Sequence, residues 1–166
     1  AVRRGAPHAR LVVDANEAWT EENFAINAGA CAKAGVELIE QPLPASDDAI
    51  LEALHSPVPL CADESAHTSE GLDTLARRYQ AVNIKLDKTG GLTEALVMAE
   101  AATNHGLEIM VGCMLASSLA MAPAMLITPY ARWVDLDGPL LLALDRTHAL
   151  KYEAGKIYPP QRALWG

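Results

Sequence analysis

Val82-Asn83-Ile84-Lys85-Leu86-Asp87-Lys88-Thr89-Gly90-Gly91 is the stretch on which the fold turns. Apolar Val82, Ile84 and Leu86 alternate with Asn83, Lys85 and Asp87, the period-2 pattern of a strand. The run ends in charge and then turns through two glycines into a helix. A lysine is almost never placed in a core without a partner. Lys85 is therefore either solvated on an edge strand or held in a polar site. Three upstream runs favour the polar site, because each is strand-like and each closes on an acid: Leu11-Val12-Val13-Asp14, Val36-Glu37-Leu38-Ile39-Glu40 and Pro59-Leu60-Cys61-Ala62-Asp63.

Helical segments separate these runs. Thr20-Glu21-Glu22 opens a helix with acids in its first turn, where the dipole favours them, and Gly35 stops it. Pro44 to Ser46 begin a short helix to about Leu54. Ser69-Glu70-Gly71 open another to about Tyr79, and an alanine-rich helix runs from Leu92 to about Asn104. Leu107 to Cys113 read as a fifth strand, Ser117 to Leu126 as a small-residue helix, and Trp133-Val134-Asp135-Leu136-Asp137 as a sixth strand ended by Gly138-Pro139. Lys151 to Tyr158 read as a hairpin around Gly155.

The strand-end residues Asp14, Glu40, Asp63, Lys85, Gly112 and Asp135 are 26, 23, 22, 27 and 23 residues apart. A strand, a loop and a returning helix take about that much chain, so the pattern is a run of βα units around a parallel sheet. Crossovers of one hand put every C-terminal strand end on the same side. In a βα barrel that rim carries the active site. A doubly wound open sheet is the alternative, but it calls for a Gly-rich first turn, and none follows the first strand. The expected organisation is a polar lead-in over 1–10, a partial βα barrel over 11–140, and an extension over 141–166 that packs on the barrel or on a capping domain.

Composition bounds the function. The 166 residues are 51% hydrophobic, enough for one domain with a real core. The net charge of −8 argues against nucleic acid or an anionic membrane surface as partner. Cys31, Cys61 and Cys113 are odd in number and widely spaced, which reads as thiols in a reducing compartment, the cytoplasm. No apolar run has the length of a membrane span.

Three carboxylates cannot share one rim without a cation, because like charges raise one another's pKa. Oxygen ligands without His or Cys suit a hard ion, magnesium first and manganese next. The alternative is three acids in separate solvated loops. Beside such an ion, Lys85 is either a counter-charge or a proton shuttle whose pKa is lowered by the cation and by partial burial.

Val13-Asp14-Ala15-Asn16, Ile39-Glu40-Gln41-Pro42, Ala62-Asp63-Glu64-Ser65 and Asn83-Ile84-Lys85-Leu86-Asp87-Lys88 together resemble the enolase superfamily, muconate-lactonizing subgroup, and within it the dipeptide epimerases of the L-Ala-D/L-Glu type. The likeness extends from about Leu11 to about Pro139. It implies the C-terminal part of a TIM-type (β/α)7β barrel with six of the barrel strands. It implies Mg²⁺ (or Mn²⁺) on Asp14, Glu40 and Asp63, and an acid/base role for Lys85. Asp135 and Asp137 would hold a substrate ammonium group, and Cys113 and Met114 would line the pocket. Asn16 and Lys88 are secondary members. The implied reaction is 1,1-proton transfer at the glutamate α-carbon of a dipeptide through a metal-stabilised enediolate, in murein peptide breakdown. A cycloisomerase, a dehydratase or an N-acylamino-acid racemase would use the same rim.

The resemblance also implies an N-terminal cap and two further barrel strands, the second bearing a Lys-x-Lys motif. Only ten residues precede Leu11, and the chain starts at Ala1 rather than Met. A full barrel needs roughly 200 residues or more. The chain is therefore expected to be a fragment of a longer reading frame, to be complemented by another chain, or to self-associate as a homo-oligomer or an inactive half-barrel.

Overall fold

The computed structural model describes Ala1–Gly166. Six parallel strands form one sheet in strictly sequential order: β1 (Leu11–Asp14), β2 (Val36–Glu40), β3 (Leu60–Ala62), β4 (Ala81–Ile84), β5 (Glu108–Val111) and β6 (Trp133–Val134). A doubly wound sheet reverses its strand order partway across, and this one does not. The outermost strands β1 and β6 are not paired, so the sheet is a half-barrel.

The side-chain period of a strand sorts each residue to one of two faces. One residue from each of β2 to β6 forms a small cluster on the concave face: Leu38, Cys61, Ala81, Met110 and Trp133. The opposite parity, with Ile39, Leu60, Ala62, Val82, Ile84, Ile109 and Val111, joins the main core under the helices. That core takes Phe24 and Ala28 from α2 (Glu21–Lys33), Ala95, Met98, Ala99 and Ala102 from α5 (Leu92–Asn104), and Met121, Ala122 and Ala124 from α6 (Ser118–Ala124). Alanines let α5 lie close to the sheet, and Met98 fills the remaining gap. Val12, Asp14, Glu40, Asp63, Asn83, Lys85, Gly112 and Asp135 share the parity of the concave cluster, which is why the charges gather there.

Several element boundaries differ from the sequence expectation. The strand expected to run through Leu86 ends at Ile84. Lys85 instead caps a helical turn, α4 (Leu86–Thr89), which precedes the two glycines. The Lys85 carbonyl accepts from the amides of Lys88 and Thr89, closing that turn at once. Gly90 and Gly91, at φ 76° and 128°, then reverse the chain into α5 in a region costly for other residues. The sixth strand covers only Trp133–Val134, because Asp137 already accepts from the Leu140 amide in a 3-10 turn over Gly138–Leu141.

The helix expected from Pro44 is a 3-10 turn at Asp48–Glu52, and that expected to Tyr79 is only α3 (Leu72–Leu75). Past Leu75 the chain goes on in backbone turns, with the amides of Arg77, Arg78 and Tyr79 donating to the carbonyls of Thr74 and Leu75. The lead-in is partly helical, with α1 at Val2–Gly5, and the Arg3 guanidinium donates to the carbonyls of Ala34 and Gly35 at the end of α2.

Beyond residue 140 the expected hairpin is present as β7 (Tyr152–Glu153) and β8 (Lys156–Ile157), followed by α7 (Arg162–Trp165). Leu150 and Leu164 are buried in the main core. No helix is long and apolar enough to cross a membrane.

Candidate active site

Glu40 and Asp63 are 4% and 3% exposed at the C-terminal ends of β2 and β3, and Asp14 pairs in register with Glu40 across β1 and β2. Asp14 itself is exposed. Asn16, in the left-handed region at φ 47°, donates its backbone amide to one Asp14 oxygen at 2.8 Å and its side-chain amide to the other at 3.1 Å. The Asn83 amide donates to Glu40 Oε1 at 2.6 Å.

Two lysines meet Asp63. Lys85 Nζ donates to Asp63 Oδ2 at 2.6 Å and stands 4.0 Å from Glu40. Lys88 Nζ donates to the other Asp63 carboxylate oxygen, to the Asp63 carbonyl at 2.6 Å and to the Asn83 carbonyl at 3.1 Å. An ammonium has three N–H groups. Lys88 therefore uses all of its donors within the protein, whereas Lys85 keeps donor capacity for something else.

Charge and burial set the protonation states. Burial, then the charges of Asp63 and Asp14, push the Glu40 carboxyl up to about 7 despite the Asn83 amide. Burial raises Asp63 too, but Lys88 and Lys85 outweigh it and hold that carboxyl below its ordinary value. Burial pulls Lys88 down, with Asp63 offsetting only part of the effect. Burial lowers Lys85 too, but the Asp63 carboxylate, followed by Glu40, holds it above the ordinary value.

No three metal-ligating side chains close on one point in this structure, since Asp63 turns to the lysines. The donor chemistry nevertheless fits a hard divalent cation. The carboxylates are oxygen donors, and Glu40 carries the strain of its like-charged neighbours. Asn83 Oδ1 and Glu64 Oε2 are further buried acceptors with no donor, so the site is short of positive charge. Cys61, at 0% exposure, is held as a thiol by burial and by Glu40 and Asp63, and does not compete as a soft ligand.

Asp135 and Asp137 stand together at the edge of the sheet. Desolvation and then Asp137 push the Asp135 carboxyl up, with Lys85 pulling the other way. Both acids line a cleft of about 560 Å³ with Leu140, Tyr152, Glu153 and Lys156. Its far wall is the hairpin, not Cys113 or Met114. Cys113 is half-buried against Gly138, and Met114 is 52% exposed at the rim. The Tyr152 hydroxyl donates to the Leu136 carbonyl at 2.6 Å, which ties the hairpin to the acidic pair.

Two features were not read from the sequence. In the sequence Asn83 is a polar member of an alternating strand with the parity of Lys85, and nothing local shows that its amide serves Glu40. The side chains of Gln41, Asp48 and Tyr79, which join the loops after β2 and β3, carry no local signal except that Gln41 interrupts an otherwise apolar turn.

Comparison with known proteins accords with this geometry. The N-acetyl-D-glutamate racemase of a Pseudoalteromonas species is 54% identical over 166 residues, covering 100% of this chain and 53% of that protein. The L-Ala-D/L-Glu epimerase of Escherichia coli K12 is 49% identical over 158 residues, 95% of this chain and 49% of that protein. The chain thus spans about half the length of these relatives.

An enolase family member from Agrobacterium tumefaciens, solved with sodium and L-Ala-L-Glu, is 54% identical with a TM-score of 0.97 over 99% of this chain and 51% of its own. A dipeptide epimerase from Methylococcus capsulatus, solved with Mg and L-Arg-D-Lys, is 32% identical with a TM-score of 0.86 over 94% of this chain and 47% of its own. The family model described as enolase C-terminal domain-like matches residues 1–163. With the match spanning nearly its whole length and its sequentially ordered half-barrel superimposing on solved relatives, the chain belongs to the enolase C-terminal domain-like family.

Proposed function

We propose that this chain carries the metal-binding and one acid/base half of an epimerase that acts at the α-carbon of an N-acylated glutamate, with an L-Ala-Glu dipeptide as the preferred substrate. The observation that carries the reading is Lys85. Its ammonium is anchored by Asp63 at 2.6 Å, lies 4.0 Å from Glu40, and retains unused N–H capacity on the concave face.

Asp14, Glu40 and Asp63 would hold Mg²⁺, with Mn²⁺ as its substitute, and Asn16 and Asn83 orient two of the three carboxylates. When bound, the cation supplies electrostatic stabilisation for negative charge developing on the substrate carboxylate. Lys85 Nζ delivers a proton to the α-carbon, and in the reverse direction takes it up. Asp63 steers the lysine. Lys88 has no free donor, so it holds Asp63 in place and does not reach the substrate. Lys85 serves a single face of the α-carbon, and inversion requires a second group on the other face.

L-Ala-Glu and N-acetylglutamate are both glutamates acylated on nitrogen, and they differ in whether the acyl group bears an ammonium. Asp135 and Asp137 favour the dipeptide. Two neighbouring acids with a raised Asp135 are matched by a cation in the cleft, which an alanyl amino terminus supplies and an acetyl group does not. The 54% identity to an N-acetyl-D-glutamate racemase keeps that substrate as the second reading.

The test is α-proton exchange in D₂O with Mg²⁺, followed by NMR for L-Ala-L-Glu, L-Ala-D-Glu and N-acetyl-D-glutamate. The expected result is exchange of one dipeptide isomer without inversion, abolished by Lys85→Ala. Exchange that survives Lys85→Ala, or that is confined to the acetylated substrate, overturns the respective part of the reading.

A further inference from the structure

Behind the carboxylates lies a buried polar chain that the proposed reaction does not use. Gln41 is 0% exposed and follows Glu40 directly, in the left-handed region at φ 29°. Its Oε1 accepts from the backbone amides of Asp63 at 2.8 Å and Ser65 at 3.2 Å. Its Nε2 has two N–H groups and three acceptors within reach, the Leu43 carbonyl at 2.9 Å, Ser65 Oγ at 2.9 Å and the Tyr79 hydroxyl at 3.0 Å, so one N–H is shared.

Ser65 and Tyr79 pass the interaction on. Both hydroxyls donate to Asp48 Oδ2, at 2.5 Å and 2.8 Å. Asp48 is 1% exposed, and its other oxygen accepts from Arg78 at 2.7 Å. The hydroxyl protons are drawn to Asp48, so both oxygens present lone pairs to the Gln41 amide. That fixes which way Gln41 faces and aims its carbonyl at the Asp63 amide.

A glutamine in the left-handed region, with every side-chain atom engaged, is held by its surroundings against its own preference. Gln41 is covalently joined to one carboxylate residue and hydrogen-bonded to the backbone of another. We infer that Gln41, oriented by Tyr79 and Asp48, is a positioning bracket that sets the separation of the Glu40 and Asp63 carboxylates and so the affinity of the rim for a divalent cation. The inference rests on the reading of these acids as a cation site. Tyr79 and Asp48 act through Gln41 and are positioning residues.

The test uses this chain, Mn²⁺ as the probe and electron paramagnetic resonance to count free ion. The variants are Tyr79→Phe and Asp48→Asn, with Met98→Ala in the helix core as a control for loss of stability alone. Removing a partner that orients a metal ligand costs about 10-fold or more in affinity. Tyr79→Phe and Asp48→Asn are expected to raise the Mn²⁺ dissociation constant by about that factor at a temperature where circular dichroism shows them folded. Met98→Ala should lower the melting temperature and leave the constant unchanged. Constants within two-fold of the unsubstituted chain for Tyr79→Phe overturn the bracket, whatever its melting temperature.

If Asp48→Asn does not fold, Tyr79→Phe carries the test alone. If the unsubstituted chain binds no Mn²⁺, the cation reading fails first and takes the affinity claim with it. Hydrogen exchange at the Asp63 amide then judges the bracket separately, since it should quicken in Tyr79→Phe and not in Met98→Ala.

Discussion

The side-chain amide of Asn83 occupies the space that a Cβ on Gly112 would need: such a carbon would stand 2.6 Å from Asn83 Oδ1 and 2.7 Å from Nδ2. Both distances are far below contact, so the residue just past β5 must be a glycine for Asn83 to reach Glu40. Gly112→Ala should push the amide off Glu40 and cost about 1–3 kcal/mol through overpacking. Urea denaturation measures the cost. Asn83→Ala in the same background should recover part of it, because the clash disappears with the amide.

Lys85 and Lys88 share Asp63 but should fail differently. Lys88→Met leaves one Asp63 carboxylate oxygen and two carbonyls without their donor while Lys85 stays on the other Asp63 oxygen, a loss of about 1–3 kcal/mol. Lys85→Met keeps Lys88 on Asp63 and should cost clearly less stability while abolishing α-proton exchange. Thermal melts paired with exchange assays separate the two. Equal destabilisation would contradict the different donor accounts of the two ammonium groups.

The acidic pair should discriminate between substrates. Asp135→Asn or Asp137→Asn should reduce exchange of an L-Ala-Glu dipeptide by about 10-fold or more, the scale of a lost charge-assisted hydrogen bond of about 1.5–3 kcal/mol. Exchange of N-acetylglutamate should change little or rise. Competition between the two substrates in one NMR tube reads the ratio directly, and an unchanged ratio removes these acids from substrate recognition.

Acid should loosen the segment beyond residue 140. Burial raises Asp145, but the Ser118 hydroxyl and amide and the Arg146 amide outweigh it and hold the carboxyl below its ordinary value. Ser118 in turn accepts from the Leu150 amide at 2.9 Å, so one carboxylate pins α6 to the following segment. A depressed acid contributes stability above its unfolded pKa of about 3.9 and loses it as pH falls through the folded value. The melting temperature should therefore fall below about pH 4, and Asp145→Asn should flatten that limb. A limb unchanged by the substitution would assign the acid sensitivity to other groups.

The period-2 pattern and the 22 to 27-residue rhythm were enough to determine a parallel βα fold and to place Asp14, Glu40, Asp63 and Lys85 on one rim. Alternation and repeat length are properties of local geometry, and each strand displays them unaided. The exact ends of elements were not legible. Lys85 leaves β4 for a helical turn, the helix after Pro44 is only a 3-10 turn whose Asp48 is engaged by Ser65, Tyr79 and Arg78 from far along the chain, and the one after Gly71 passes into turns beyond Leu75.

Partnership was also beyond the sequence. Nothing local says that Lys88 spends all its donors on Asp63 and Asn83, that Asp63 raises the pKa of Lys85, or that Gly112 makes room for Asn83. Those facts depend on which strands lie side by side and how closely their backbones approach, and only the folded sheet decides them.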